Sequence, residues 1–185
     1  TGLFANDDKT QRRGFESAVQ GSSGKLDWHL SYSYLETTFE DDFMVLSPNH
    51  PNADENGELS VQNGDRVPGL PEHIFKLGGD YKVIDGMSVG MELIYNSDQV
   101  LRGDESNDLD TVDGYTLVNL RASYSVNPQL LIFARVNNLF DEDYENFGLL
   151  GEEPGEVLPD LTDNRPLFLG AGAPRGGWIG FRYRI

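Results

Sequence analysis

The chain has 185 residues and a formal net charge of −17 at pH 7, which argues against a nucleic-acid-binding protein because phosphate binding needs a basic face. Cysteine is absent, and this excludes a disulfide framework and thiolate metal sites. No apolar run approaches the roughly 18 residues of a membrane-spanning helix, whereas a transmembrane β-barrel stays compatible because half of its strand residues face the interior.

The first predicted strands alternate between apolar and polar residues with a period of two, as half-buried strands do. One covers residues 13–20, and after a Gly-Ser turn at 21–24 the clearest one covers 26–34. The polar face of this second strand carries Asp27 and His29. Its apolar face carries Leu26, Trp28, Leu30, Tyr32 and Tyr34.

The remaining predicted strands follow the same pattern. Asp85-Gly86 is a strong hairpin signal between two of them, and Asn127-Pro128 turns the chain into another. These strands cover residues 73–83, 88–95, 118–126, 129–137 and 179–185. Seven strands are therefore predicted, and residues 2–6 are a candidate tail of an eighth.

Connections between the predicted strands alternate strictly in length. Short turns at 21–24, 84–86 and 127–128 alternate with long, acidic segments at 40–72, 97–113 and 141–175. Short turns at one end and long loops at the other are typical of outer-membrane barrels. The predicted fold class is therefore all-β, an antiparallel transmembrane β-barrel meander. Acidic loops suit a cationic or metal-bearing ligand better than an anionic one.

Two stretches near the C-terminus carry a family pattern. VNNLFDEDY ends the strand that starts at residue 129, and GGWIGFRYRI closes the chain. In this order and at this spacing, they resemble the last two strands of TonB-dependent outer-membrane receptors; RRGFE and VPGLPEH, further upstream, add weaker likeness. The signature residues are Val136, Asn137, Asn138, Leu139, Phe140, Asp141 and Tyr144, with Phe181 and Tyr183 in the closing strand. Leu139 and Phe140 read as a buried apolar pair.

The resemblance implies that residues 1–185 are the C-terminal part of a plugged barrel of about 22 strands. The N-terminal plug domain is absent from this chain, which reads as a mature or truncated piece. Such a receptor imports a scarce nutrient, commonly a ferric siderophore or another metal chelate, across the outer membrane of a Gram-negative bacterium. Its implied partners are outer-membrane lipid, the plug and through it the TonB complex, and the small-molecule ligand. The family is not enzymatic and implies no cofactor.

Several residues are candidates for metal binding, ligand contact, catalysis or the membrane interface. Asp104, Asp108 and Asp110 supply the hard oxygen ligands that calcium needs, but the segment lacks the glycine and glutamate of an EF-hand loop. His50 is a candidate ligand contact in a long loop. Residues 86–90 match the G-x-S-x-G pattern, yet no helix is predicted after the serine, so we expect no catalysis. Candidate interfacial aromatic residues are Trp28, Phe39, Tyr81, Tyr95, Tyr115 and Trp178.

The polar strand faces are expected to line the barrel interior and the apolar faces to meet lipid. The predicted interior side chains are Glu16, Asp27, His29, Glu92, Arg121, Arg135 and Arg182. Two alternatives stay open on the residues alone. One is a small self-contained outer-membrane barrel, porin-like or lipase-like, and the other is a soluble β-sandwich binding module, because a sandwich uses the same alternation.

Overall fold

The computed structural model of the chain describes residues 9–151 and 166–185. No helix able to span a membrane occurs in these two stretches. The strands are β1 (Thr10–Ser23), β2 (Leu26–Phe39), β3 (Phe43–Leu46), β4 (Glu58–Val61), β5 (His73–Ile84), β6 (Met87–Asn96), β7 (Tyr115–Ser125), β8 (Leu130–Asn137), β9 (Glu145–Leu150), β10 (Leu167–Ala171) and β11 (Gly176–Tyr183).

The long strands form one seven-stranded antiparallel sheet in the order β1-β2-β5-β6-β7-β8-β11. Tight turns join β1 to β2, β5 to β6 and β7 to β8 at one end of the strands. In the last of these turns the Asn127 side chain accepts the backbone N–H groups of Gln129 and Leu130, which closes the reversal. The longer connections all lie at the opposite end of the strands. The seven predicted strands and the sorting of connections by length are thus confirmed.

The sheet register separates apolar from polar side chains onto two faces. One apolar row crosses five strands through Val19, Leu30, Leu77, Leu93 and Val118. One polar row crosses six strands through Asp27, Asp80, Gly90, Arg121, Arg135 and Trp178. All seven side chains predicted for the polar face lie on it, because the period of two is kept along the paired stretches that carry them; the one shift within the sheet, between Lys82 and Ile84, lies at the end of β5.

The apolar face is uncovered. Ile179 is 76% exposed, Phe181 75% and Phe15 55%, although all three are large hydrophobic residues. A sandwich would press this face against a second sheet about 10 Å away. Such a layer is lacking in the described part of the chain, so the β-sandwich alternative is wrong.

The long connections contain regular structure that the sequence pattern did not predict. β3 pairs with β4 inside the segment 40–72, and β9 pairs with β10 inside the segment 141–175. These strands are only four to six residues long, so their alternation is too brief to stand out. Residues 2–6, the candidate eighth strand, lie outside the described residues.

Three of the six candidate interfacial aromatic residues do not lie on the apolar face. Trp178 is in the polar row beside Arg135, and Tyr115 packs on Tyr144 with ring centroids 4.4 Å apart. Phe39 is buried at 8% exposure against Phe43. Trp28, Tyr81 and Tyr95 do lie on the apolar face.

Phe140 is also misjudged by the sequence pattern, because it is 73% exposed and not part of a buried pair.

Candidate functional site

The buried apolar core of the described residues lies among the long connections and not in the large sheet. We call these connections the loop cluster: residues 40–72, 97–114, 138–151 and 166–175. The core side chains are Phe39, at the end of β2, and Leu59, Val61, Val100, Leu101 and Val112. A one-layer sheet has no interior of its own, so the apolar residues that are withdrawn from solvent gather where the loops fold onto one another.

The β3–β4 hairpin anchors the first connection. Leu59 and Val61 are 2% and 0% exposed and point from β4 into the cluster, while Leu46 on β3 is 72% exposed. The alternation Glu58-Leu59-Ser60-Val61 is the signal that sequence reasoning missed. This alternation of four residues is too short to predict a strand by itself, and it becomes informative only when the surface that buries Leu59 and Val61 is known.

His50 and Asp104 join the first connection to the second. The two side chains are 3% and 1% exposed, and His50 Nε2 lies 3.0 Å from Asp104 Oδ1. His50 Nδ1 accepts the backbone N–H of Asn52 at 3.1 Å, so the proton sits on Nε2, which donates to the carboxylate. The contact is therefore a hydrogen bond between two buried side chains.

The Asp104 carboxylate has a full set of donors. It accepts the backbone N–H of Asp108 at 2.9 Å and that of Leu109 at 3.1 Å, besides the imidazole. His50, predicted as a candidate ligand contact, is instead enclosed in the protein.

Further hydrogen bonds cross between the same two connections. Ser47 Oγ donates to the carbonyl of Gly103 at 2.7 Å. The Asn107 side chain accepts the backbone N–H of Arg66 at 2.7 Å and donates to its carbonyl at 3.0 Å, which reproduces a strand-like pair. Asn107 holds this position with a φ of 57°, a value that asparagine tolerates better than most residues. The sequence pattern gave no sign of these contacts.

The second connection also binds the third. Backbone hydrogen bonds run from Arg102 N to Gly148 O at 3.0 Å and from Leu150 N back to Arg102 O at 2.8 Å. The Gln99 side chain donates to the carbonyl of Asn146 at 2.9 Å. All three long connections are thus joined through residues 97–114, which lie in the middle.

Two loop carboxylates carry perturbed acidities. Backbone N–H donors at Glu58 and then Asn56 hold the pKa of Asp54 below its ordinary value of 3.8. The Asn52 amide, followed by the Ser106 hydroxyl, likewise lowers the pKa of Asp108. Both groups therefore stabilise the folded loop as anions.

The three calcium candidates do not converge as a set. Asp104 is buried under its donors, Asp108 bonds Asn52 and Ser106, and Asp110 is exposed. Among residues 9–151 and 166–185, no three His, Asp or Glu side chains are arranged to hold a metal ion. The calcium site stays a prediction.

Asn138 explains part of the VNNLFDEDY signature. Its side-chain oxygen accepts the backbone N–H of Glu142 at 2.8 Å, while its amide donates to the carbonyls of Glu142 at 2.8 Å and Ala173 at 3.2 Å. Asp141 accepts the backbone N–H of Arg175 at 2.9 Å. These contacts tie the start of the third connection to its end, so both side chains serve structure.

Other signature residues continue the two strands. Val136 pairs with Gly177 and Asn137 with Gly176, and Leu139 donates its N–H to the Val118 carbonyl at 2.8 Å. Phe181 and Tyr183, at 75% and 62% exposure, belong to the uncovered apolar face.

The polar face carries an ion pair in mid-sheet. Arg121 donates from Nε and Nη2 to the two oxygens of Asp80, at 2.8 and 2.7 Å, across the backbone of Gly90. Nearby, Ser88 of the G-x-S-x-G match lies within β6, 2.9 Å from the Ser123 hydroxyl. The turn before Ser88 joins two strands, and the serine is followed by strand and not by a helix, unlike the serine of a nucleophile elbow.

An uncovered apolar face, a polar face and long connections at one end of the strands define this sheet as the wall of a β-barrel. The family model described as "TonB dependent receptor-like, beta-barrel" matches residues 1–139, and the chain belongs to that family. Relatives include the probable TonB-dependent siderophore receptor PiuA of Acinetobacter baumannii, 28% identical over 141 residues that cover 76% of this chain. The catecholate siderophore receptor Fiu of Escherichia coli is 33% identical over 147 residues, 77% of this chain.

Solved structures have the same fold. The crystal structure of PiuA from Acinetobacter baumannii matches 96% of this chain with a TM-score of 0.74 at 18% identity. The unliganded ferric citrate transporter FecA matches 95% with a TM-score of 0.67 at 20% identity. This chain spans only 18% of the PiuA sequence and 17% of the Fiu sequence. These relatives are named as siderophore receptors or a ferric citrate transporter, and none of them is named as an enzyme.

Proposed function

We propose that the protein containing this chain is an outer-membrane receptor that imports a ferric siderophore or another metal chelate, energised through TonB. This chain supplies the C-terminal strands of a closed barrel of about 22 strands. The uncovered apolar face, with Phe15, Ile179 and Phe181, meets outer-membrane lipid. A plug domain outside this chain fills the interior and connects to the TonB complex.

The observation that carries the proposal is the sorting of the molecule into three zones. An apolar face suits lipid, the opposite face is polar, and every long connection lies at the strand ends opposite the tight turns. A soluble binding module has no use for an uncovered apolar face, because exposed apolar surface of this extent favours association. Membership of the receptor family supports the same conclusion.

The loop cluster is the part of this chain that meets the ligand. Its mutual hydrogen bonds and buried core preorganise a surface instead of leaving three independent loops, and preorganisation lowers the entropic cost of binding. Exposed carboxylates, including Asp54, Asp108 and Asp110, give this surface a negative field. We therefore expect a neutral or cationic metal chelate to bind more tightly than an anionic one.

Iron uptake by the full-length receptor tests the function. The receptor is expressed in a Gram-negative strain that lacks other chelate receptors, with and without active TonB, and is offered catecholate, hydroxamate and citrate complexes of iron. TonB-dependent uptake of at least one complex is expected. Uptake of none, or uptake that persists without TonB, contradicts the proposal. Binding to the purified receptor then ranks the complexes by charge.

A further inference from the structure

The last three strands of the sheet differ from the others in charge. β7, β8 and β11 contain no aspartate or glutamate along their described lengths, although the chain carries 31 acidic residues. Their charged side chains are Arg121, Arg135 and Arg182, and all three lie on the polar face. We call this part of the polar face the cationic strip.

Two of these arginines are direct neighbours. Arg121 and Arg135 are register partners on β7 and β8, which places their Cβ atoms about 5 Å apart. Like charges in this arrangement are destabilising unless each has a counter-charge. Arg121 has one, because both of its hydrogen bonds go to Asp80 on the far side. Its charge is therefore compensated within the sheet.

Arg135 turns the other way and has no carboxylate partner among residues 9–151 and 166–185. Its guanidinium carbon lies 5.7 Å from the ring centroid of Trp178, and its Nε donates to Asn137 Oδ1 at 2.7 Å. These contacts fix the side chain and use one donor. Within the described part of the chain the two terminal nitrogens have no hydrogen-bond partner, so they can bind a bidentate acceptor, which is the arrangement that arginine offers carboxylates.

A depression of about 310 Å³ lies at this point of the polar face. Its wall combines the Arg135 guanidinium and the Asp80–Arg121 ion pair with the hydroxyls of Ser88 and Ser123 and the rings of Phe133 and Trp178. The Phe133 ring lies against Gly180, where a Cβ atom would approach its Cζ to 2.6 Å. The occupant that fits this wall carries a carboxylate and an apolar body.

We propose that Arg135 and Trp178 form the docking point for an acidic segment of polypeptide from the part of the receptor outside this chain. The proposal rests on the closed barrel of the proposed function, in which the polar face meets only what the barrel encloses. Most of the receptor lies outside this chain, which spans 18% of its relative PiuA. An acidic side chain gives Arg135 its counter-charge, while neighbouring apolar atoms pack on Phe133 and Trp178.

Photo-cross-linking in the full-length receptor tests the proposal. The photoreactive residue p-benzoylphenylalanine replaces Ser123, which lines the depression, or Leu120, which lies on the apolar face as the matched control. We expect Ser123 to capture a peptide from upstream of this chain with Asp or Glu at the cross-link, and Leu120 to capture none. Capture of residues 152–165, of a separate protein or of no peptide at Ser123 overturns the proposal.

Charge substitutions supply the second readout. Arg135→Glu is expected to lower the yield at Ser123 about tenfold, because a charge-assisted hydrogen bond is lost and replaced by repulsion, and Arg135→Lys to lower it less. Should Arg135→Glu fail to fold, raised salt applied to the unsubstituted protein must lower the yield instead. Equal yields in all cases contradict the assignment. Neither ligand nor TonB is needed, so a receptor that imports no iron chelate still reports on this docking point.

Discussion

His50 and Asp104 lie 54 residues apart, yet their side chains meet at 3.0 Å inside the loop cluster, almost without solvent exposure. The carboxylate also accepts the backbone N–H groups of Asp108 and Leu109. This contact fixes the first long connection to the second, and the second in turn binds the third. The receptor surface that the loops present is therefore one folded unit.

Removal of the Asp104 carboxylate should open this unit. Asp104→Ala leaves the buried His50 imidazole without its acceptor, at about 1–3 kcal/mol, and also frees the part-buried N–H groups of Asp108 and Leu109, so we expect the local opening free energy of residues 97–114 to fall by about 2–3 kcal/mol. Hydrogen exchange of the full-length receptor in detergent measures it. Asp110→Ala, at an exposed position nearby, should change it by less than about 0.5 kcal/mol. Equal protection in both variants would refute the central role of Asp104.

Acid should weaken the loop cluster. The folded-state pKa values of Asp54 and Asp108 lie below the ordinary 3.8, so both carboxylates bind fewer protons in the folded than in the unfolded loop. Their stabilising effect is complete above 3.8 and is lost as the pH falls through the lowered pKa.

We expect Asp108→Asn to be less protected than the unsubstituted protein at neutral pH, and the two to converge well below pH 3.8. Hydrogen exchange corrected for the intrinsic rate at each pH follows this, with β8 and β11, which contain no carboxylate side chain, as internal references. A difference that persists unchanged into acid would contradict the assigned cause.

The β3–β4 hairpin offers a matched pair of leucines. Leu59→Ala removes a side chain that is 2% exposed and should destabilise the first connection by about 2–5 kcal/mol. Leu46→Ala, at 72% exposure, should be nearly neutral. Limited proteolysis within residues 40–72 should be faster only in the first variant, while the barrel remains resistant. Similar cleavage rates in the two variants would show that the hairpin does not anchor the loop.

Gly90 should resist substitution because the ion pair crosses its backbone. A Cβ atom at this position would lie 2.6 Å from Arg121 Nε and also collide with the Asp80 carboxylate. Gly90→Ala should therefore destabilise the receptor by about 1–3 kcal/mol, a typical cost of overpacking.

Gly177→Ala is the control, since its nearest heavy atom outside the chain neighbours is 3.6 Å away. Urea unfolding of both variants in detergent compares them. Equal midpoints would mean that the Asp80–Arg121 pair relocates without loss.

The sequence by itself determined the sheet. Alternation at residues 26–34 and 118–126, together with tight turns such as Asp85-Gly86, sets both the strands and the faces, because side chains in a strand alternate by geometry alone. In the same way, the alternation alone places Arg121 and Arg135 on the polar face. VNNLFDEDY and GGWIGFRYRI, in this order and at this spacing, suggest the family.

Only the tertiary structure decided the loop cluster and the polar-face contacts. His50 and Asp104, or Asn107 and Arg66, are far apart in the chain, and no periodicity relates one irregular segment to another. Likewise, the different environments of Arg121 and Arg135 depend on which neighbour each guanidinium reaches across the sheet. Strand faces follow from local backbone geometry, whereas contacts between loops follow from the way in which distant segments pack together.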